Sequence, residues 1–270
     1  MSTPDRADAV RHPATPSRQL METVGSELIP RMYLSHRAGP IPPSLGMSVG
    51  RRLTDAERAE FLRLVRGSSE GAAVEMVREL VSGGVPVEAV YLDLLTPAAR
   101  ALGEEWERDT CDFVEVTVAL GRMQRVLRGL AAFSAEERPE GAVGAVLLST
   151  VPGEQHTLGL LIVAEFFLRA GWSIGLGAPL EPTPLEELVA EQWYDAVGIS
   201  VSCTARTAVV ADLVATLRRR SRNPRLVVLV GGCLCVGRPD LAKEMGADGT
   251  TDDAAGAPTL AARLAGLEQS

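Results

Sequence analysis

The sequence predicts an α/β protein, in which a four-helix bundle precedes a flavodoxin-like (Rossmann-type), doubly wound sheet of five parallel strands. Two observations predict this fold. The apolar residues keep a helical spacing from Thr54 to about residue 133, and after Gly141 short buried runs alternate with amphipathic stretches. Hydrophobic residues make up 46% of the 270 residues and aromatic residues only 4%, as is typical of α-rich and α/β proteins. We expect a flexible arm (1–50), a helical bundle (51–138) and a Rossmann-like domain (139–270).

The first 50 residues predict a flexible arm. They hold seven of the 17 prolines and two of the three histidines, and they show no sustained hydrophobic period. Apolar residues from Leu20 to Met32 recur at short helical steps, which indicates one amphipathic segment within the arm. This segment either packs on the body of the protein or docks with a partner.

The bundle is predicted from helix signals that begin at Arg51. Thr54 and Glu57 have the spacing of a capping box, and Phe61, Leu62 and Val65 follow as an apolar stripe. Further helical stretches are expected at about 69–82, 87–108 and 112–133, with "SGGVP" and "RDTC" between them. Short loops between helices are typical of a four-helix bundle. The run "SAEERPEGA" then predicts a linker.

The second half predicts repeated βα units. Buried-strand runs are "AVGAVLLST", "WSIGLGA", "AVGISVS" and "RLVVLVGG", and a weaker fifth unit is "ADGTTDDAAGAPTLAARLAGL". Right-handed crossovers between such units give a doubly wound sheet, which binds ligands outside the carboxyl ends of its strands. Those ends are residues 150–156, 200–204 and 231–232.

Composition excludes several classes of protein. A net charge of -8 argues against a self-sufficient nucleic-acid binder, so a role in transcription needs a protein partner. Four cysteines without a CxxC pair indicate a reducing cytoplasm. We expect a cytoplasmic protein without a membrane contact, because no apolar stretch is long enough for a span or a signal peptide.

The strand-end loops exclude two common sites. A dinucleotide site needs GxGxxG after the first strand, and this loop instead carries Glu154, which would repel a phosphate. A phosphoacceptor receiver domain needs acidic residues where this chain has Thr150 and Ser200. What remains is His156 beside Glu154, and a metal-bound histidine usually passes its other N–H to a carboxylate. From the residues alone, His156 could equally be a helix-capping or exposed histidine.

Three loop motifs together resemble the signature of cobalamin-binding domains. They are Glu154-x-His156-x-x-Gly159, Ser200-x-Ser202 with Thr204, and Gly231-Gly232. The resemblance implies that His156 is the lower cobalt ligand and that Ser200 and Thr204 bond the nucleotide tail or the lower corrin face. It also implies that the glycines leave room for that tail. The family usually has Asp in place of Glu154 and often Leu in place of Ser202.

The resemblance extends to the helical bundle, which in such proteins forms a cap over the upper corrin face. It implies that Trp106 lies over the corrin, with Phe113, Val116 and Thr117 nearby. Repressor-type cobalamin photoreceptors carry a Glu-His pair where this chain has Val116 and Thr117, so the upper ligand is expected to be less caged. The alternative for Trp106 is an aromatic residue of the bundle core.

The runs "CDFVEVTVALGRMQRVLR" and "PGEQHTLGLLIVAEFFLRAGW" are most similar to AerR/PpaA antirepressors of phototrophic bacteria, over about residues 51–265. This resemblance implies a light-responsive regulator that is not an enzyme, with hydroxo-, aquo- or adenosylcobalamin as its cofactor. Its expected partner is a DNA-binding repressor of the CrtJ/PpsR type, without direct sequence-specific DNA binding of its own. The alternatives are a corrinoid carrier for methyl transfer, a haem sensor with His156 on iron, and a cofactor-free scaffold.

Two further groups have a structural interpretation. Cys233 and Cys235 are expected to be small buried residues rather than a redox pair. Arg206 and the run from Arg218 to Arg220 are expected to form a solvated helix face.

Overall fold

The computed structural model describes residues 50–67, 69, 71–134, 142–154, 157–177, 183–201, 207–251 and 254–267. The predictions for the amphipathic segment of the arm, for His156, for Ser202 and Thr204, and for Arg206 lie outside the described residues.

Helices form at the predicted places in the first half of the chain. They are α1 (Asp55–Arg66), α2 (Ala72–Ser82), α3 (Val87–Ala89), a π-helical segment (Val90–Leu95), α4 (Thr96–Glu107) and α5 (Phe113–Ser134). The third predicted stretch is continuous from α3 to α4, and the π-helical segment inside it was not anticipated. The helices pack around one apolar core that includes Phe61, Val77 and Leu127.

The predicted capping box forms at the start of α1. The Glu57 backbone N–H donates to Thr54 Oγ1 at 3.2 Å, and the Thr54 backbone N–H donates to Glu57 Oε2 at 2.8 Å. Each of these two bonds satisfies a backbone donor that the first turn of a helix leaves unpaired. The local sequence therefore sets where this helix begins.

The second half forms a parallel sheet in the order β2-β1-β3-β4. The strands are β1 (Ala145–Thr150), β2 (Ser173–Leu176), β3 (Ala196–Ser200) and β4 (Val227–Gly231). The helices are α6 (Leu158–Arg169), α7 (Leu185–Glu191), α8 (Thr207–Arg220), α9 (Pro239–Glu244) and α10 (Ala257–Ala265), and a 3₁₀ turn spans Cys233–Cys235. The order is that of a doubly wound sheet.

The prediction of five strands is wrong for the described part of the chain, where the sheet has four. The fifth unit contributes a single parallel bridge between Leu229 and Gly249, with a Val230 N–H bond to the Gly249 carbonyl at 3.1 Å. Residues 246–249 offer two glycines and one alanine but no run of β-branched side chains, which are the residues that strands favour. Helix α10 still follows this bridge and packs on the sheet.

Alternate side chains of the strands enter two cores, one on each face of the sheet. Val146 and Leu148 pack with α6 and α10, whereas Leu147 faces the other way and packs with α7, α8 and α9. This alternation is the two-residue period of a strand that is buried on both faces.

Helix α6 belongs to two cores at once. Its residues Leu160, Ala164 and Phe167 pack on the sheet, and its residues Leu158, Leu161, Ile162 and Phe166 pack in the core of the first-half helices. The Phe166 ring meets the Tyr91 ring edge to face with centroids 5.8 Å apart, and Arg169 pairs with Glu88. A helix that is apolar on all sides is expected to be buried in this way. Among the described helices, none has both the length and the apolar character that crossing a bilayer requires.

Candidate functional site

Two of the predicted site residues, Ser200 and Gly231, lie in one row with Thr150 at the carboxyl edge of the sheet. Thr150 lies opposite Ser200 in the β1–β3 register, and Ser200 lies opposite Gly231 in the β3–β4 register. Neighbouring strands are about 4.8 Å apart, so these residues are direct neighbours across the sheet. The topology therefore brings together two hydroxyl side chains and a glycine that are distant in sequence.

The loop after β1 folds back onto the strand end. Val151 donates its backbone N–H to the Ser200 carbonyl at 3.3 Å, and Glu154 donates its backbone N–H to the Val151 carbonyl at 2.9 Å. Thr150 Oγ1 donates to the Glu154 carbonyl at 3.3 Å, and Gly153 allows the turn with φ of +85°. The described loop therefore holds half-buried Glu154 at the strand end, directly before residues 155 and 156.

The far side of the same loop is also anchored. Thr157 is buried, and its carbonyl accepts the Leu161 backbone N–H at 2.9 Å, which begins α6. In the sequence, residues 155 and 156 thus connect Glu154 at the strand end to Thr157 at the helix start. The first turn of α6 leaves its backbone N–H groups free of intrahelical partners, as every helix does.

The adjacent glycines at the end of β4 have different surroundings. Gly232 has φ of +100°, and a Cβ there would lie 2.5 Å from the Val201 carbonyl oxygen and 2.9 Å from the Val201 nitrogen. The chain itself therefore requires glycine at position 232. A Cβ on Gly231 would meet nothing within 4 Å, and the same holds for exposed Gly159 in the first turn of α6. These two glycines border open space.

The predicted residues of the helical part are partly exposed. Trp106 is 38% exposed, which excludes the alternative that it is a core aromatic. Its ring contacts Phe113 edge to face, with centroids 6.2 Å apart and planes at 64°. Val116 and Thr117 are half-buried on α5, where Val114 and Val118 are exposed. This end of the helical part therefore presents an aromatic pair with aliphatic neighbours.

Cys235 is buried, as predicted, while the side chain of Cys233 is outside the description. Burial raises the pKa of the Cys235 thiol, and the nearby Thr250 hydroxyl and Arg238 lower it by less. The thiol is therefore protonated at neutral pH and is a poor nucleophile and a poor metal ligand. Among the described residues, no three His, Cys, Asp or Glu side chains form a group that could hold a metal ion.

An open depression of about 600 Å³ lies elsewhere, between α1 and α2. Its lining includes four carboxylates, Glu57, Glu60, Glu75 and Glu79, above Leu64, Met76 and Leu80. Three of these carboxylates already pair with Arg51, Arg63 and Arg78. The predicted site residues that the structure describes lie outside this depression, and those at the sheet lie at the strand ends.

Sequence reasoning missed two features of the site. Thr150 fastens the loop through its hydroxyl, and a threonine at a strand end before "PGE" was the available signal. Helix α6 joins the site to the first-half helices, and its unbroken apolar run "LGLLIVAEFFL" was the signal for burial on all sides.

Comparison with known proteins gives the chain a family. Two family models, both described as B12 binding domain, match residues 57–130 and 144–258. A Rhodobacter capsulatus protein, described as an uncharacterized 20.5 kDa protein in the bchF-crtJ intergenic region, is 36% identical over 176 residues. That match covers 65% of this chain and 91% of the relative. The chain belongs to the B12-binding family.

More distant relatives are corrinoid proteins by name. A corrinoid protein of Desulfitobacterium hafniense is 24% identical over 213 residues, covering 77% of this chain and 96% of that protein. The monomethylamine corrinoid protein of Methanosarcina barkeri superposes with a TM-score of 0.63 at 19% identity. The superposition covers 78% of this chain and all of that structure. At this identity the likeness shows a shared fold, and the B12-binding family makes the strand-end row a candidate corrinoid site.

Proposed function

We propose that the protein is a cobalamin-binding, light-responsive antirepressor that acts through a DNA-binding repressor of the CrtJ/PpsR type. One observation carries the cofactor assignment: Thr150, Ser200 and Gly231 form a single row beside the loop of His156, and Gly231 and Gly159 border open space there. The regulatory role is supported by the 36% identical relative from the bchF-crtJ intergenic region.

The roles of the loop residues follow from their chemistry. His156 is proposed as the lower axial ligand of cobalt, and Glu154 as the carboxylate that accepts the other ring N–H and so orients the imidazole. Ser200, Ser202 and Thr204 supply hydroxyl groups to the cofactor's polar tail. Gly159 and Gly231 leave its path open, and Gly232 keeps the strand-end turn that shapes this edge. Bound cobalamin would supply a bond between cobalt and its upper ligand that light can break.

The helical part is proposed to be the cap over the upper face. Trp106 and Phe113 offer the broad apolar surface, and Val116 and Thr117 offer smaller side chains beside it. Helix α6 begins two residues after His156 and packs in the helical core, and we propose that it carries a change at the loop to the cap. Bound cobalamin can shift an equilibrium between two packing arrangements of the cap only if it binds one of them more tightly than the other.

Visible absorbance with hydroxocobalamin and adenosylcobalamin, in the dark and in light, tests cofactor binding. We expect a changed cobalamin spectrum with the wild type and a large loss of affinity in His156→Ala. His12→Ala and His36→Ala are matched controls, because the other two histidines lie in the arm. Unchanged binding by His156→Ala would contradict the assignment, and a Soret band in the purified protein would indicate a haem sensor instead.

Binding to a purified repressor of the CrtJ/PpsR type, measured by calorimetry before and after illumination, tests the regulatory role. We expect the affinity to change on illumination of the cobalamin-loaded protein and to stay constant without cofactor. Equal affinity of the cobalamin-loaded protein for the repressor before and after illumination would contradict a light-responsive role.

A corrinoid carrier for methyl transfer is the second candidate function. The corrinoid proteins among the relatives favour it, as does the superposition on the monomethylamine corrinoid protein. Methyl transfer from the loaded protein to an acceptor thiol, in the presence of a methyltransferase and in the dark, would support the carrier. Photolysis without turnover would support the antirepressor.

A further inference from the structure

The amino edge of the sheet, opposite the candidate site, presents an exposed tryptophan in a fixed position. Trp193 is 52% exposed, and its Nε1–H donates to Asp195 Oδ1 at 3.1 Å. The other Asp195 oxygen accepts the Ala145 backbone N–H at 2.9 Å, at the start of β1. The indole is therefore held at the strand starts with much of its ring in solvent, although burying that ring would be favourable.

Exposed charges of opposite sign lie on the two helices that precede and follow Trp193 in the chain. Glu191 is exposed in the last turn of α7 and Glu187 one turn before it, and Arg219 and Arg220 are exposed in the last turn of α8. The two helices pack side by side in one core. In the part of the chain that the structure describes, none of these four side chains forms an ion pair, so both signs remain available to a partner.

A pair of hydrogen bonds fixes the geometry of the two helix ends. Arg222 donates its backbone N–H to the Val189 carbonyl and its guanidinium N–H to the Glu191 carbonyl, both at 2.9 Å. These bonds hold the ends of α7 and α8 next to each other, and they place the Arg222 guanidinium at the backbone of Glu191. We call Glu187, Glu191, Trp193, Arg219 and Arg220 the amino-edge surface.

We propose that the amino-edge surface binds the same surface of a second copy of this chain, giving a dimer with two-fold symmetry. A two-fold axis near Trp193 places the acidic end of one copy over the basic end of the other, twice. An interface of this kind must be self-complementary, and an acid–aromatic–base arrangement meets that condition. Tryptophan and arginine are also the residues most enriched in the energetic centres of protein interfaces.

The charge of the chain favours a second copy of the chain over a nucleic acid as the partner of the amino-edge surface. The chain carries a net charge of -8, and the amino-edge surface mixes acidic with basic side chains, so it lacks the continuous basic patch that binding of a polyanion requires. Strand β3 separates the two edges by roughly 13 Å, at about 3.3 Å per residue. The dimer therefore leaves the carboxyl edge accessible and does not depend on the proposed function.

Sedimentation velocity of the full chain over a range of concentrations tests the dimer, with and without cobalamin. We expect the wild type to dimerise in both cases. Trp193→Ser, Glu191→Arg and Arg220→Glu are each expected to weaken dimerisation by at least about tenfold. The double variant Glu191→Arg with Arg220→Glu exchanges the two charges and is expected to recover most of the affinity.

The controls separate this interface from general effects of charge and folding. Arg52→Glu reverses an exposed charge in the helical half and is expected to leave dimerisation unchanged. Far-ultraviolet circular dichroism checks that each variant is folded. A wild type that is monomeric at every concentration overturns the proposal, as do single variants that dimerise like the wild type or a double variant as weak as its parents. None of these results affects the cobalamin assignment.

Discussion

Gly231 and Gly232 are adjacent in the chain, yet a methyl group at each position has a different expected effect. At Gly232, alanine must adopt φ near +100° with its Cβ 2.5 Å from the Val201 carbonyl oxygen. Such strain costs about 1–3 kcal/mol before the contact is counted, so Gly232→Ala should lower the free energy of unfolding by more than that. Chemical denaturation measures this loss, and a fully stable Gly232→Ala would contradict the geometry.

Gly231→Ala is expected to change cobalamin affinity without a comparable change in the free energy of unfolding. Its Cβ meets nothing within 4 Å, so the free energy of unfolding should change by less than about 0.5 kcal/mol. If the nucleotide tail passes this point, cobalamin affinity should fall severalfold in the same variant. Titration followed by absorbance measures the affinity. Wild-type affinity in Gly231→Ala would place the tail elsewhere.

The surroundings of several predicted residues could not be read from the sequence. The diglycine was identifiable from its position after a predicted strand, but the need for glycine at position 232 depends on Val201, which is distant in sequence. The exposure of Trp106 likewise depends on how the ends of α4 and α5 meet. Local patterns identify candidate residues, whereas their surroundings come from tertiary packing.

The capping box of α1 predicts that the free energy of unfolding depends on pH. Hydrogen bonds from Arg51 first, and then from the Thr54 backbone, lower the pKa of Glu57 to about 2. Because the pKa is lower in the folded state, the stabilisation is complete above pH 4.5 and is lost as the pH falls toward 2. The Arg51 side chain is 41% exposed, so solvent screening keeps the contribution below about 1 kcal/mol.

Glu57→Gln tests this dependence. The variant should be less stable than the wild type at pH 6 by up to about 1 kcal/mol, and the difference should shrink as the pH approaches 2.5. Denaturant unfolding at several pH values measures it. Glu79→Gln is the control, since Glu79 is an exposed carboxylate on α2, and it should show a smaller difference. A Glu57→Gln difference that is constant with pH would contradict the assigned pKa.

Helices were predicted better than strands for a physical reason. A helix depends on residues three or four positions apart, so Thr54, Glu57 and the apolar stripe of α1 suffice to locate it. A strand depends on a neighbour that the local sequence does not contain. Gly249 makes one isolated bridge to Leu229, and the predicted fifth strand does not form in the described residues. The π-helical segment was missed because its sequence, "VYLDLL", has ordinary helical spacing.

For the whole molecule, α6 is the element that joins the helical half to the sheet. The adjacent residues Phe166 and Phe167 face different cores, the first toward Tyr91 and the second toward Trp172. Phe166→Leu should raise amide hydrogen exchange in the helical half, and Phe167→Leu should raise it in β1 and β2. Each substitution should cost about 1 kcal/mol. Identical exchange patterns in the two variants would show that the halves unfold as one unit.

The central claim is that His156 ligates cobalt in a cofactor held at the carboxyl edge of the sheet. Electron paramagnetic resonance of the protein loaded with cob(II)alamin, prepared with natural histidine and with nitrogen-15 histidine, tests it most directly. We predict that the labelled imidazole changes the nitrogen splitting of the cobalt signal from a triplet to a doublet, because the two nitrogen isotopes differ in nuclear spin. A triplet that persists in the labelled protein would show that the axial nitrogen is not a histidine of this chain and would contradict the account.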